Sequence, residues 1–238
     1  MKFLIVFVLG WLTQVNPPAD QAADQVLVFS KTEGYRHQSI ELGVKTLEEL
    51  GAENNFVITH TEDAKVFNSE ALKAYKLVIF LNTTGDVLNN QQQDAFKTFI
   101  NNGGSYLGVH AASDTEYDWS WYGQLVGAYF VSHPKSCEAN LIITDANHQS
   151  TKHLDAEWEH FDEWYNFKNI SPDIKPLIML DETSYEGGEN GDFHPIAWYQ
   201  EFDGGRAFYT GLGHTLEAYE DPDFRLHLLG GIDYCLKR

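Results

Sequence analysis

The sequence predicts an α/β fold, a three-layer sandwich with a mostly parallel central sheet. Apolar runs rich in β-branched residues alternate with helical patterns through the first half, the signature of βαβ units. Past Gly127 the rhythm changes to strands joined by short helical pieces, so the second half reads as mixed rather than doubly wound. A chain of 238 residues with 43% hydrophobic content can bury one sizeable core. No repeat, low-complexity tract or Pro/Gly/Ser-rich linker divides it.

The elements follow in order. Met1-Lys2 and the apolar run Phe3 to Leu12 are too short for a bilayer span but fit a signal peptide over 1–23, with cleavage near Ala23. Export to the periplasm or the exterior is the expectation, leaving one domain over 24–238 and no integral membrane segment. Val26 to Phe29 opens that domain as a strand. Ser39 can cap and Gly51 can end a helix over 39–50. Strands are expected at Phe56 to Thr59 and Leu77 to Leu81. Asn89 can then cap a helix that presents Phe96, Phe99 and Ile100 on one face and ends at Asn101-Asn-Gly-Gly104. The strand Tyr106 to Val109 follows. The second half offers strands at Leu141 to Thr144, Lys175 to Leu180, Pro195 to Tyr199 and Ala207 to Thr210. A helix over 222–236, with Pro222 in its first turn, closes the chain.

The formal net charge of −19, with no Lys/Arg cluster to offset it, argues against nucleic acid and anionic membrane partners. A neutral ligand, or one that carries its own cation, is easier to reconcile with that field. Cys137 and Cys235 permit one disulfide or two free thiols, and they lack zinc or redox spacing.

The segment Ser105-Tyr-Leu-Gly-Val-His-Ala-Ala-Ser-Asp114 is a buried strand that stops in small residues around His110. Ligands of open α/β sheets sit beyond the carboxyl ends of the strands, so His110 is placed for chemistry as a base or a metal ligand. Four segments after predicted strands are dense in polar and aromatic groups: 30–39, 110–121, 160–165 and 211–217. The first supplies Thr32, Tyr35, Arg36 and His37 as ligand-binding candidates, although Arg36 equally fits a surface ion pair. Ser113 and Asp114 lie just past His110. Asp162, Glu163 and Tyr165 place carboxylates beside aromatic faces, the combination that sugar recognition requires. His214 and Glu217 add a second imidazole and an orienting carboxylate. A divalent metal, zinc in particular, would draw on His37, His110, His133 and His214, all on loops. His194 more simply anchors the strand that follows it.

Taken together, Phe29-Ser-Lys-Thr-Glu-Gly-Tyr-Arg-His-Gln-Ser-Ile40, Gly108-Val-His-Ala-Ala-Ser-Asp-Thr115, His194-Pro-Ile-Ala-Trp198 and Gly205-Arg-Ala-Phe-Tyr-Thr-Gly-Leu-Gly-His214 with Tyr219-Glu-Asp-Pro222 resemble the trehalose-utilisation (ThuA-like) family. The resemblance runs from about Gln25 to the C-terminus. It implies a class I glutamine amidotransferase-like, flavodoxin-like α/β fold and a link to disaccharide breakdown and keto-sugars. True amidotransferases need a cysteine where this chain has His110, so glutaminase activity is not expected. Their later histidine and acid look similar to His214 and Glu217.

These observations leave three readings. In the first, an exported enzyme isomerises or epimerises a keto-sugar or acts on a glycoside, with His110 and His214 exchanging a proton, Glu163 and Asp162 assisting, and Arg36 or a metal as polariser. The second is a non-catalytic sugar-binding or scaffold module that uses Trp and Tyr residues as stacking platforms. The third is a metal-dependent glycoside hydrolase.

Overall fold

Strand β4 (Ser105–Val109) is buried at every residue, as a central parallel strand covered on both faces must be. The computed structural model describes residues 22–238 and arranges nine strands in the order β2-β1-β3-β4-β11-β10-β9-β6-β7. The strands are β1 (Asp24–Phe29), β2 (Phe56–Thr61), β3 (Leu77–Leu81), β6 (Cys137–Ile143), β7 (Glu157–Asp162), β9 (Lys175–Leu180), β10 (Pro195–Phe202) and β11 (Gly205–Thr210). The first five positions in the order are mutually parallel, and from β11 onward each neighbour is antiparallel. The fold is therefore the α/β class expected, with a parallel half and a mixed half. A separate ribbon pairs β5 (Tyr129–Ser132) with β8 (Asn166–Lys168).

Helices α1 (Ile40–Glu53), α4 (Leu216–Glu220) and α5 (Pro222–Leu236) cover one face; α2 (Asn90–Asn101) and α3 (Ser120–Val126) cover the other. On the α2 side, Phe80, Phe96, Tyr106 and Tyr122 form an aromatic layer with ring centroids 5.4–6.2 Å apart. Asn89 caps α2 as expected, in a reciprocal capping box with Gln92.

Three expectations need correction. Helix α1 does not stop at Gly51. It runs on to Glu53, and Gly51 is needed inside it because a Cβ there would lie 2.7 Å from the carbonyl oxygen of Phe56. Ser39 does not cap it either, since its hydroxyl donates to the carbonyl of Gly213 at 3.1 Å. Residues 160–162, read as part of a loop, are the end of β7, where Trp158, His160 and Asp162 alternate inward. Cys137 and Cys235 are both free. The expected signal peptide falls, but for its last residues, outside the described residues. Among the described residues no helix is long and apolar enough to cross a membrane.

Directions along the sheet decide where chemistry can gather. Two antiparallel steps separate β11 from β9, and two more separate β9 from β7, so β1, β4, β11 and β7 all point their carboxyl ends to one rim. A flat sheet would hold β7 about 19 Å from β11. Asp162 and Glu163, at the end of β7, nevertheless touch His214, so sheet twist and the loop after β11 together close that gap.

Buried histidine also shapes stability. His227 on α5 is fully enclosed, with Nδ1 2.9 Å from the Ser150 carbonyl and Nε2 without a partner. Burial lowers its pKa to about 3, below the ordinary 6.5. Because the folded value is depressed, the unfolded chain takes up this proton first, and stability falls as the pH drops below about 6.5. Replacing His227 by Gln is expected to reduce the slope of unfolding free energy between pH 6 and 4 by about 1.4 kcal/mol per pH unit, measured by urea titrations. An unchanged slope would exclude His227 as the source.

Candidate metal centre at the carboxyl rim

His110 follows β4 in the left-handed region, at φ 48°. For a histidine this conformation is uncommon, and it marks the sharp turn that directs the ring inward from the rim. The turn needs small neighbours. A Cβ on Gly108 would meet the Tyr106 hydroxyl at 2.5 Å and the Ala112 Cβ at 3.1 Å. The imidazole is fully buried, with its Nδ1 2.7 Å from the carbonyl of Gly211. That carbonyl can only accept, so Nδ1 carries the hydrogen and the Nε2 lone pair faces the rim. The ring of Tyr165 lies tilted against it, with centroids 4.1 Å apart.

Three further residues converge on that nitrogen. His214 Nδ1 lies 3.2 Å from His110 Nε2, Glu163 Oε2 lies 3.5 Å from it, and His214 Nδ1 is 3.1 Å from the same carboxylate oxygen. His37 packs edge-on against both imidazoles, at 4.9 and 5.1 Å between centroids. One ligand atom from each of His37, His110, Glu163 and His214 lies within 4.8 Å of the others. Ligand atoms about 2.0–2.1 Å from a tetrahedral zinc stand about 3.3 Å apart, so the three short separations fit the edges of such a polyhedron.

The electrostatics point the same way. His37 is buried, its Nδ1 has no partner, and burial together with the neighbouring imidazoles drives its pKa down to about 2. It is a neutral base, the state a metal requires. Burial opposes the charge on Glu163, yet the close approach of the His110 and His214 imidazoles outweighs it and holds the carboxyl well below the usual range. Burial likewise opposes the imidazolium form of His214, and the bond to Glu163 reverses the balance and raises its pKa. Lone pairs of His110 and a charged carboxylate thus face one another in a partly desolvated space, an arrangement that a cation relieves. Three imidazoles and one carboxylate suit zinc, iron, manganese or nickel better than calcium or magnesium.

The other predicted residues divide by location. His133 does not join the four. Its Nδ1 sits 2.9 Å from Glu163 Oε1, the oxygen turned away from the cluster, and the side chain is 42% exposed. Glu163, just past the end of β7, stands with the three imidazoles where His133 was expected. Tyr35, 62% exposed, sets its ring edge-on to His37 at 4.9 Å and rims the opening. Asp114 accepts the Tyr117 phenol at 2.6 Å, and burial raises its pKa. Asp162 is wholly buried and accepts backbone N–H groups, so it is no hydroxyl binder.

Arg36 is spent on Glu41 and Glu62 at 2.7 and 2.8 Å on the surface and is not available as a polariser. Ser113 is buried against the Tyr209 hydroxyl at 2.9 Å, and Thr32 bridges to Thr84; both belong to the scaffold. Glu217 is exposed in the first turn of α4, and Glu163 is the acid that pairs with His214. His194 is structural as read, with Nε2 donating to the Tyr165 carbonyl at 2.9 Å. Sequence reasoning missed the Gly211 carbonyl that orients His110. A cavity of about 530 Å³ lies at the opposite end of the sheet among Leu72, Phe99 and Leu236, away from these groups.

The hydrogen-bond geometry makes a spectroscopic prediction. Long-range ¹H–¹⁵N spectra of the metal-free protein are expected to show neutral His110 protonated at Nδ1 and bare at Nε2. The opposite tautomer would remove His110 from the cluster.

Comparison with known proteins gives a consistent result. The family model for ThuA, described as trehalose utilisation, matches residues 25–235. A ThuA-like protein from Bacteroides uniformis is 24% identical, with 94% of this chain and 96% of that chain covered and a TM-score of 0.79. Another from Parabacteroides merdae is 19% identical, with 90% of each chain covered and a TM-score of 0.74. A β-galactosidase from Bacillus circulans shares the fold over 31% of its own length, at 11% identity and a TM-score of 0.60, with 90% of this chain covered. At these identities the likeness is one of fold. No curated protein sequence matches. The family match spans nearly the whole described chain, and the chain belongs to the ThuA family.

Proposed function

We propose that this chain is a metal-dependent enzyme acting on a neutral sugar, with zinc or an ion of similar ligand preference held by His37, His110, Glu163 and His214. The observation that carries the reading is the convergence of those four ligand atoms at the carboxyl rim. The family description, trehalose utilisation, supports a carbohydrate as substrate. So does the aromatic and carboxylate lining of Tyr35, Tyr165 and Asp114, with Arg36 already paired to acids and therefore no match for a phosphate.

A bound divalent cation polarises a carbonyl or hydroxyl oxygen and stabilises the negative charge that develops there. The chain's own residues divide the remaining work. His110 is too deeply enclosed to reach substrate, so its part is to hold the ion, with Gly211 fixing its ring. Proton transfer falls to the groups that remain outside the ligand set and open to the rim, His133 against Glu163 and Asp114 against Tyr117. Tyr35 offers a sugar its ring face. Isomerisation or epimerisation of a keto-sugar uses all of these roles; hydrolysis of a glycoside is the second reaction that the same set serves. The apolar run Phe3 to Leu12 supports an exported location.

Metal analysis of purified protein is the test. About one equivalent of a transition metal is expected in the wild type and none in the His110→Ala/His214→Ala double variant, with chelator removing any turnover of keto-sugars. Metal-free protein that cannot be loaded with zinc, iron, manganese or nickel would overturn the reading.

A further inference from the structure

We infer that Asp162 is the positioning residue of the metal centre, the group that draws two of its ligands, Glu163 and His214, to one point. The inference rests on the metal reading above. Glu163 and His214 follow strands that lie four places apart in the sheet, and coiling alone does not fix where their ends stop. The carboxylate of Asp162 does. One oxygen accepts the N–H of Glu163 at 2.9 Å and the N–H of His214 at 3.1 Å; the other accepts the N–H of Gly213 at 2.7 Å. The side chain is fully buried, so bulk solvent does not compete for these bonds.

Two features show that this carboxylate serves more than ordinary loop closure. It binds the main chain of both ligand residues at once, so moving it moves both ligands. The loop it grips follows a narrow path: Gly213 takes φ 106°, a Cβ there would fall 2.9 Å from the Tyr219 hydroxyl and 3.0 Å from Val109, and Asp162 holds its N–H side while Ser39 and Asn82 hold its carbonyl. His160 lies behind it, with Nε2 3.9 Å from its second oxygen, beyond hydrogen-bonding distance, and Nδ1 3.2 Å from Asp221, the residue that caps α5. The three main-chain N–H groups are thus the hydrogen bonds that this carboxylate accepts. Groups of this kind, one bond removed from a metal, set its affinity by orienting what touches it.

The test is zinc affinity by chelator competition, with the visible spectrum of the cobalt-loaded protein as a second readout. Asp162→Asn replaces an acceptor with an amide NH₂ that opposes the loop's N–H groups. It is expected to weaken zinc binding at least tenfold and to change the cobalt spectrum. Asp24→Asn, which loses the Lys76 and Arg238 ion pairs at the far end of β1, is expected to bind zinc as the wild type does. Should Asp162→Asn not fold, Asp162→Glu carries the test, because it keeps the charge and displaces the carboxylate by one methylene; a tenfold loss is expected there too. Wild-type affinity and spectrum in a folded Asp162 variant would overturn the positioning role alone. Wild-type protein that takes up no zinc or cobalt would instead overturn the metal reading, and this role with it.

Discussion

The site depends on one constraint, the meeting of the carboxyl ends of β7 and β11 over the end of β4. Strand polarity places these ends on one rim, and sheet twist together with the 211–214 loop brings the residues past them within hydrogen-bonding distance. The mixed half of the sheet acquires a purpose from this. Three antiparallel strands between β11 and β7 carry an acidic residue around to the imidazoles that the parallel half presents. The ribbon of β5 and β8 then closes the side, stacking Tyr165 and Phe130 at 4.2 Å beside His110.

Within that frame the chemistry follows from charge and burial. An imidazole pinned by a backbone carbonyl has one lone pair left, and for His110 that lone pair points at a carboxylate. Two electron-rich groups in a partly dry space repel unless a proton or a metal stands between them. His37 adds a base that burial keeps neutral, and His214 adds one that Glu163 can hold protonated in the absence of metal. The cluster can thus accommodate either occupant. Gly211 fixes the ring of His110, Asp162 the main chain of both Glu163 and His214, and His133 the far oxygen of Glu163, the arrangement expected where geometry rather than titration is the object.

Much of this was legible in the sequence. The parallel half announced itself through β-branched runs and helix caps, and the small residues around His110 identified the turn. His37, His110, His214 and Glu163 were all singled out because each follows a strand or sits among aromatics. The ligand set could not be assembled, since a ligand's neighbours depend on how far the sheet coils, and coiling leaves no local pattern. Hence the expected set named His133 where the structure brings Glu163 to the imidazoles, and it paired His214 with Glu217, a near neighbour in sequence, where the structure pairs it with an acid from a distant strand. Arg36 shows the opposite error: a donor-rich loop suggested a ligand, while the acids that absorb the charge lie at positions 41 and 62. The alternation of Trp158, His160 and Asp162 did carry a strand signal, and following it would have turned the Asp162 side chain inward.

Locating the ion is the most direct test of the central claim. Anomalous scattering at the zinc edge from crystals of the zinc-loaded protein is expected to give a single strong peak about 2.0–2.2 Å from one nitrogen each of His37, His110 and His214 and from a Glu163 carboxylate oxygen. A peak bound elsewhere on the chain, or none at full zinc occupancy of the crystal solution, would contradict the account.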